Sequence, residues 1–140
     1  MTVDPLLSVM RTAASGLQSQ STRLKIVSEN LANAESAGNT PGADPYRRKL
    51  VTFEQSLDEV TGASLVQVNR VVRDMEPFQT EFQPGHPAAD AAGYVKLPNV
   101  NMMVEMADMR EASRSYEANL QMIRQAREMT SMMVDLLKGQ

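Results

Sequence analysis

The stretch NMMVEMADMREASRSYEANLQMIRQAREMTSMMVDLLK, residues 101–138, decides the fold. Met102, Met106, Met109, Ala112, Tyr116, Leu120, Ile123, Ala126, Thr130, Met133 and Leu137 recur through it every three or four positions, the spacing of one stripe on an α-helix. Neither Pro nor Gly interrupts it before Gly139, so the spacing predicts one long helix that Gly139 closes. Opposite charges at Glu111 and Arg114, and at Arg124 and Glu128, add weak support on the exposed face.

Working outward, the first 37 residues carry the same signal. Asp4-Pro5 is a helix start: Asp caps free backbone N–H groups, and Pro lacks a donor that the first turn does not need. Leu6, Met10, Ala13, Leu17, Leu24, Val27 and Leu31 then form a narrow seam, with Gln20 in its one polar gap. Gly38 offers a left-handed stop, and Pro41 forbids continuation.

Residues 38–45 are turn chemistry throughout. Residues 46–53, 64–73 and 93–97 are rich in Val, Leu, Tyr and Phe and predict short strands, with a turn at 61–64. Residues 76–93, with Pro77, Pro84, Gly85, Pro87 and Gly93, predict an irregular loop. The expected fold is mainly α with a small β middle region: an assembly helix in 1–38, loops and strands in 39–99, and a second assembly helix in 100–140. The two helices pair in a coiled-coil-like arrangement, and the sequence leaves open whether they run parallel or antiparallel.

Helix length points to assembly. About 33 residues at ~1.5 Å each give ~50 Å for the first helix, and the last reaches ~55 Å. A compact domain of this length is only ~40 Å across, so both helices should overhang a compact middle region. A pair buries one stripe per helix and leaves Leu7, Val9, Ala14, Met103, Met122, Met129, Met132, Val134 and Leu136 off the seam. Exposed apolar patches of this kind mark interaction surfaces.

Composition narrows the function. The chain has 140 residues, 42% of them apolar, but only three Phe, three Tyr and no Trp. Its eleven Met residues suit a surface that packs against several partners. The absence of Cys excludes disulfides, thiolate metal sites and Cys nucleophiles. A net charge of −3 argues against nucleic-acid binding, and the lone basic triplet Arg47-Arg48-Lys49 reads as a solvated strand edge. His86 is an ordinary loop residue, because one His without Cys cannot build a zinc site. Glu54, Asp58 and Glu59 read as a solvated acidic face. No nucleotide-binding, hydrolase or metalloprotease motif is present, so no catalytic residue, cofactor or metal is expected. No apolar run is long enough to span a bilayer, and the N-terminus lacks the pattern of a cleavable secretory signal, so export would follow another route.

Certain residues carry a family resemblance. Ala14-Ser15-Gly16-Leu17 followed by Ser28-Glu29-Asn30-Leu31-Ala32-Asn33-Ala34 resembles the N-terminal signature of the flagellar rod, hook and hook-associated axial proteins. Residues 104–112 followed by Ser115-Tyr116-Glu117-Ala118-Asn119 resemble their C-terminal signature, and such signatures occur together at opposite chain ends. Residues 45–49 and 93–101, with the short total length, resemble the proximal-rod type. Glu29 departs from the pattern, where the family often has Asn, and Met replaces the Ile or Leu common in the last helix.

The resemblance implies a structural subunit exported through the flagellar type III apparatus without signal cleavage. Such a subunit polymerises through its terminal helices into the periplasmic rod of the basal body, which transmits torque and encloses the export channel. The implied partners are copies of itself, other rod proteins, the inner-membrane ring and export complex. The competing reading is a soluble coiled-coil adaptor or export chaperone that binds partner helices in a groove, motivated by the Met-rich last helix.

The candidate subunit-interface residues are Leu17, Leu24 and Leu31 with Met109, Tyr116 and Ile123, because apolar seams on overlong helices need partners. Asn30, Asn33 and Asn119 join them as motif positions; polar residues beside a seam can fix register, although Asn33 equally suits a helix end.

Overall fold

The computed structural model describes residues 5–139, so the cap expected at Asp4 lies outside the described residues. The order is α1 (Pro5–Ala32), β1 (Lys49–Leu57), β2 (Ser64–Arg73), β3 (Gln79–Phe82), β4 (Tyr94–Leu97) and α2 (Met102–Lys138). The chain is mainly helical, with two long helices at its ends and two small antiparallel ladders, β1–β2 and β3–β4, between them.

The helices are antiparallel. Asn30 meets Glu105, Arg23 pairs with Asp108, Gly16 abuts Asn119, and Met10 lies beside Thr130 and Val134. Position numbers thus rise along α1 as they fall along α2.

The seam between the helices is not the most apolar one. On α1 the inward row is Ala13, Gly16, Gln20, Arg23, Val27 and Asn30; on α2 it is Glu105, Ala112, Asn119 and Ala126, seven residues apart. The α1 row keeps the three-four spacing and the α2 row a seven-residue repeat, and apart from Val27 both consist of small or polar side chains. Small residues let the axes approach closely, which larger ones would prevent. The Leu17, Leu24 and Leu31 row sits one position over from the inward row and is only half-buried. Of the expected α1 seam, Ala13, Gln20 and Val27 therefore lie in the inward row, and only the places expected of Leu17, Leu24 and Leu31 are taken by their neighbours Gly16, Arg23 and Asn30.

Gly16 shows how tight the approach is. A Cβ there would lie 2.7 Å from the Asn119 amide nitrogen, which donates to the Ser115 carbonyl at 2.9 Å. Gly16→Ala should therefore destabilise the chain by about 1 kcal/mol, because overpacking outweighs the ~1 kcal/mol of helix propensity gained. In an Asn119→Ala background the same change should turn stabilising. Urea unfolding of the four chains checks the reversal, and a Gly16→Ala cost that survives Asn119→Ala would contradict it.

Helix α1 ends at Ala32, five residues short of the expected 37. The Asn33 N–H and side chain both donate to the Glu29 carbonyl, at 3.1 and 2.8 Å, closing the last turn, and the chain leaves through turns at 33–35. Gly38 is not a left-handed stop; it permits close passage of Ala43, to which an added Cβ would come within 2.7 Å.

The middle region is not a compact domain overhung by the helices. β1 and β2 form one long hairpin laid along α1, with a register shift between Thr52 and Phe53. Nine strand residues span ~30 Å, matching the ~29 Å between Arg11 and Asn30 on the helix. Helix side chains bond the strand edges as a neighbouring strand would. Ser15 Oγ accepts from Val66 N–H at 3.2 Å, and Ser19 Oγ donates to the Val66 carbonyl at 3.0 Å. Asn30 does the same for Lys49 N–H and C=O, both at 2.9 Å. At the tip, Gly62 adopts a left-handed φ of 64°, and Asp58 accepts from Arg11 at 2.8 Å and from Thr61. The Thr61 hydroxyl, followed by Arg11, holds the Asp58 carboxyl below its ordinary range, so Asp58 is a latch rather than part of a solvated acidic face.

The strand expected at 46–53 begins at Lys49 and runs on to Leu57, because the Arg47 and Arg48 side chains are drawn to other groups. β3 lies within the expected irregular loop. Its four side chains are all exposed, so no burial alternation marks it; pairing with β4 and an edge-to-face contact of Phe82 on Tyr94 at 5.3 Å hold it.

Candidate functional site: an open apolar face and its polar anchor

Two features stand out, one spent inside the subunit and one left open. The first is a buried polar junction where α1, the start of β1 and the start of α2 meet. Asn30 and Glu105 are each 1% exposed. Asn30 Nδ2 donates to the Lys49 carbonyl and to Glu105 Oε2 at 3.0 Å, while its Oδ1 accepts from Lys49 N–H and from the Tyr46 hydroxyl at 2.8 Å. Every polar site of the amide is used, which is what a buried Asn requires. Burial raises the Tyr46 phenol above its ordinary range, keeping it a neutral donor.

Glu105 accepts from Arg48 Nε at 2.6 Å, and Arg48 reaches on to Asp74 at 3.3 Å. Asn99 accepts from Arg48 N–H at 2.8 Å and donates to the carbonyls of Asp74 and Glu76. Arg47 donates to the same two carbonyls and stacks its guanidinium 4.0 Å over the Phe78 ring. Lys49 pairs with Glu29 at 2.7 Å, a contact that holds the Glu29 carboxyl below its ordinary range. The basic triplet is thus the junction's cation supply, not a solvated edge. Glu29, the departure from the family pattern, is the acid that Lys49 uses.

The second feature is an apolar face. Ser15, which bonds the hairpin, and Leu24 are nine residues apart, about two and a half turns, so they point to opposite sides of α1. The Leu17, Leu24 and Leu31 row therefore lies away from the hairpin, half-buried. On α2, Met109, Tyr116 and Ile123 are also half-buried, while Met102, Met106 and Met133 are exposed.

The candidate interface residues thus divide. Leu17, Leu24, Leu31, Met109, Tyr116 and Ile123 retain surface for a partner. Asn30 is consumed within the subunit. Asn33 closes α1, with its own N–H on the Glu29 carbonyl at 3.1 Å and Ser36 Oγ on its Oδ1 at 3.2 Å. Asn119 sits against Gly16 in the inward seam.

Sequence reasoning missed Tyr46, Arg48, Asp74, Asn99 and Glu105 as a connected set. One signal was available: Glu105 heads the seven-residue row Glu105, Ala112, Asn119, Ala126, where a charge demands a partner. Among the described residues no helix is long and apolar enough to cross a membrane. His86 Nδ1 accepts from Ala88 N–H at 3.0 Å within its loop.

Comparison with known proteins agrees with this architecture. Residues 10–43 match the family model for flagella basal body rod proteins, and residues 91–136 match that for the C-terminal region of flagellar basal body rod FlgEFG proteins. The flagellar basal-body rod protein FlgC of Agrobacterium fabrum is 59% identical over 98% of this chain and 99% of its own length. FlgC of Escherichia coli O6:H1 is 39% identical over 96% of this chain and 98% of its own length. FlgC of Borreliella burgdorferi is 35% identical over 96% and 99%, respectively. With both terminal signatures matched and relatives similar from end to end, the chain belongs to the FlgC family of flagellar basal-body rod proteins.

Proposed function

We propose that the chain is a structural, non-enzymatic subunit of the proximal rod of the bacterial flagellar basal body. It polymerises through the open faces of its terminal helices, with copies of itself and with other rod proteins. The observation that carries this reading is the inversion of the helix pair. The Leu17, Leu24 and Leu31 stripe of α1 stays half-open, while Ala13, Ser19 and Asn30 are buried beside Ile26 and Val27. A helix pair that served only its own fold would bury its Leu row. End-to-end similarity to FlgC proteins supports the rod as the place of assembly. The comparisons do not favour a soluble adaptor or export chaperone.

The finer reading follows from the same assignment. The subunit reaches the periplasm through the flagellar type III apparatus without signal cleavage, adjoins the inner-membrane ring and export complex, and helps form the shaft that transmits torque and encloses the export channel. Mass spectrometry of purified hook–basal bodies tests it. Several copies per particle, retained through stringent washing, are expected. Absence from intact particles with the protein free in the cytoplasm would overturn the rod assignment.

A further inference from the structure

The β1–β2 hairpin is attached to α1 differently at its two ends. Its base lies by the buried Ile26 and Val27 and is tied by the fully used Asn30 amide. Toward the tip, the stripe of α1 beneath it reads Arg11, Ser15, Gln18, Ser19 and Thr22, polar throughout. A cleft of about 310 Å3 lies between these serines, Gln18 and Thr22 and residues 66–68 of β2. The strand records the same change. Residues 49–52 of β1 are all half-buried, whereas of residues 53–57 only Ser56 is. The step falls at the register shift between Thr52 and Phe53, where Asn69 of β2 has no residue opposite it. A bulge of this kind is where a ladder bends.

We propose that residues 53–68 form an arm, hinged at this bulge and latched to α1 by Arg11 and Asp58, which swings off the helix while the base of the hairpin stays in place. Apolar burial is the main fastening between packed elements, and the α1 stripe offers the arm no apolar side chain between Arg11 and Thr22. The arm is held instead by the two serine bonds at Val66 and by the ion pair, in which Arg11 keeps 41% of its side chain in water. Neutral hydrogen bonds and part-exposed ion pairs each contribute little beyond the water contacts they replace. Opening therefore releases only groups that water can serve. The ladder travels with the arm, because residues 53–57 pair with β2 and not with α1. Latched, the hairpin is fastened at both ends. Unlatched, it holds α1 by its base alone and carries Leu57 and Val60, 71% and 67% exposed, outward on a lever of ~20 Å. The motion belongs to the single chain and needs no rod around it.

The Cys-free chain lets spin labels report the swing. Ala14→Cys with Val60→Cys reads the tip, and Ser28→Cys with Arg73→Cys reads the base; all four positions are exposed. Double electron–electron resonance on the purified full chain should give one dominant distance from each pair. Adding Arg11→Ala should leave the base distance unchanged and raise the population of a second, longer tip distance ~5-fold, the weight of a part-exposed ion pair. A single, unchanged tip distance in Arg11→Ala would overturn the proposal. So would a joint shift of tip and base, which would mean that the hairpin leaves α1 as one body. Circular dichroism checks that the helices persist. Should Arg11→Ala fail to fold, Ser15→Ala with Ser19→Ala frees the arm from its other pins and is read in the same way.

Discussion

Replacing Glu105 with alanine should lower the stability of the purified chain by roughly 3 kcal/mol, read as a shift of the urea midpoint at unchanged slope. The carboxylate is buried and takes bonds from Arg48 Nε and Asn30 Nδ2. Its removal leaves a guanidinium facing a void and an amide with an unmet donor. Removing one partner of a buried ion pair costs about 3–5 kcal/mol. The lower end applies because the Arg48 side chain keeps 22% of its surface in water and retains Asp74. Against the ~5–15 kcal/mol of a typical domain, this is a large fraction. Combining Glu105→Ala with Arg48→Met should recover more than ~1 kcal/mol of the summed single losses, because the pair acts as a unit. A single-variant loss under ~1 kcal/mol would mean that water already serves the junction.

Leu24→Asp should leave the subunit folded but abolish its incorporation into basal bodies, and with it swimming. Leu24 is half-buried on the side of α1 away from the hairpin, so its loss costs the monomer about 1–2 kcal/mol through reduced burial and poorer helix propensity. In an assembly that covers the Leu row, the same Asp becomes a buried charge without a partner, which a packed interface does not tolerate. Circular dichroism of the purified variant, the chain content of its basal bodies and a soft-agar swimming assay separate the two effects. A strain carrying only this variant that swims normally would show that the Leu row faces no subunit.

These two positions also show what was legible from sequence. The helices, a turn between β1 and β2 (expected at 61–64, found at 59–61) and the extent of β2 follow from spacing and turn chemistry, which act locally. The inward seam follows only in part. Apolar periodicity finds Ala13, Val27, Ala112 and Ala126, but on α1 it also selects Leu17 and Leu24 where close approach of the axes selects Gly16 and Arg23, a criterion set by the partner helix and invisible within α1. The junction was hidden for a related reason. Tyr46, Arg48, Asp74, Asn99 and Glu105 are scattered over 60 positions, and only the fold reveals that one amide, Asn30, joins three of the segments. β3 escaped because pairing with β4, not its own composition, makes it a strand.

The hairpin's attachment to α1 carries a mechanical consequence. It is pinned at its tip by Arg11 and Asp58, a little further along by the two serines at Val66, and at the other end by Asn30 at Lys49. A rib fastened at both ends loads its pins together when force acts along it, whereas a flap fastened at one end would peel bond by bond. Sliding the hairpin past the helix requires the pins to give way at once, so α1 is stiffened along its axis. In a rotating shaft built from such subunits, strain is thereby shared along each helix rather than concentrated at a single joint.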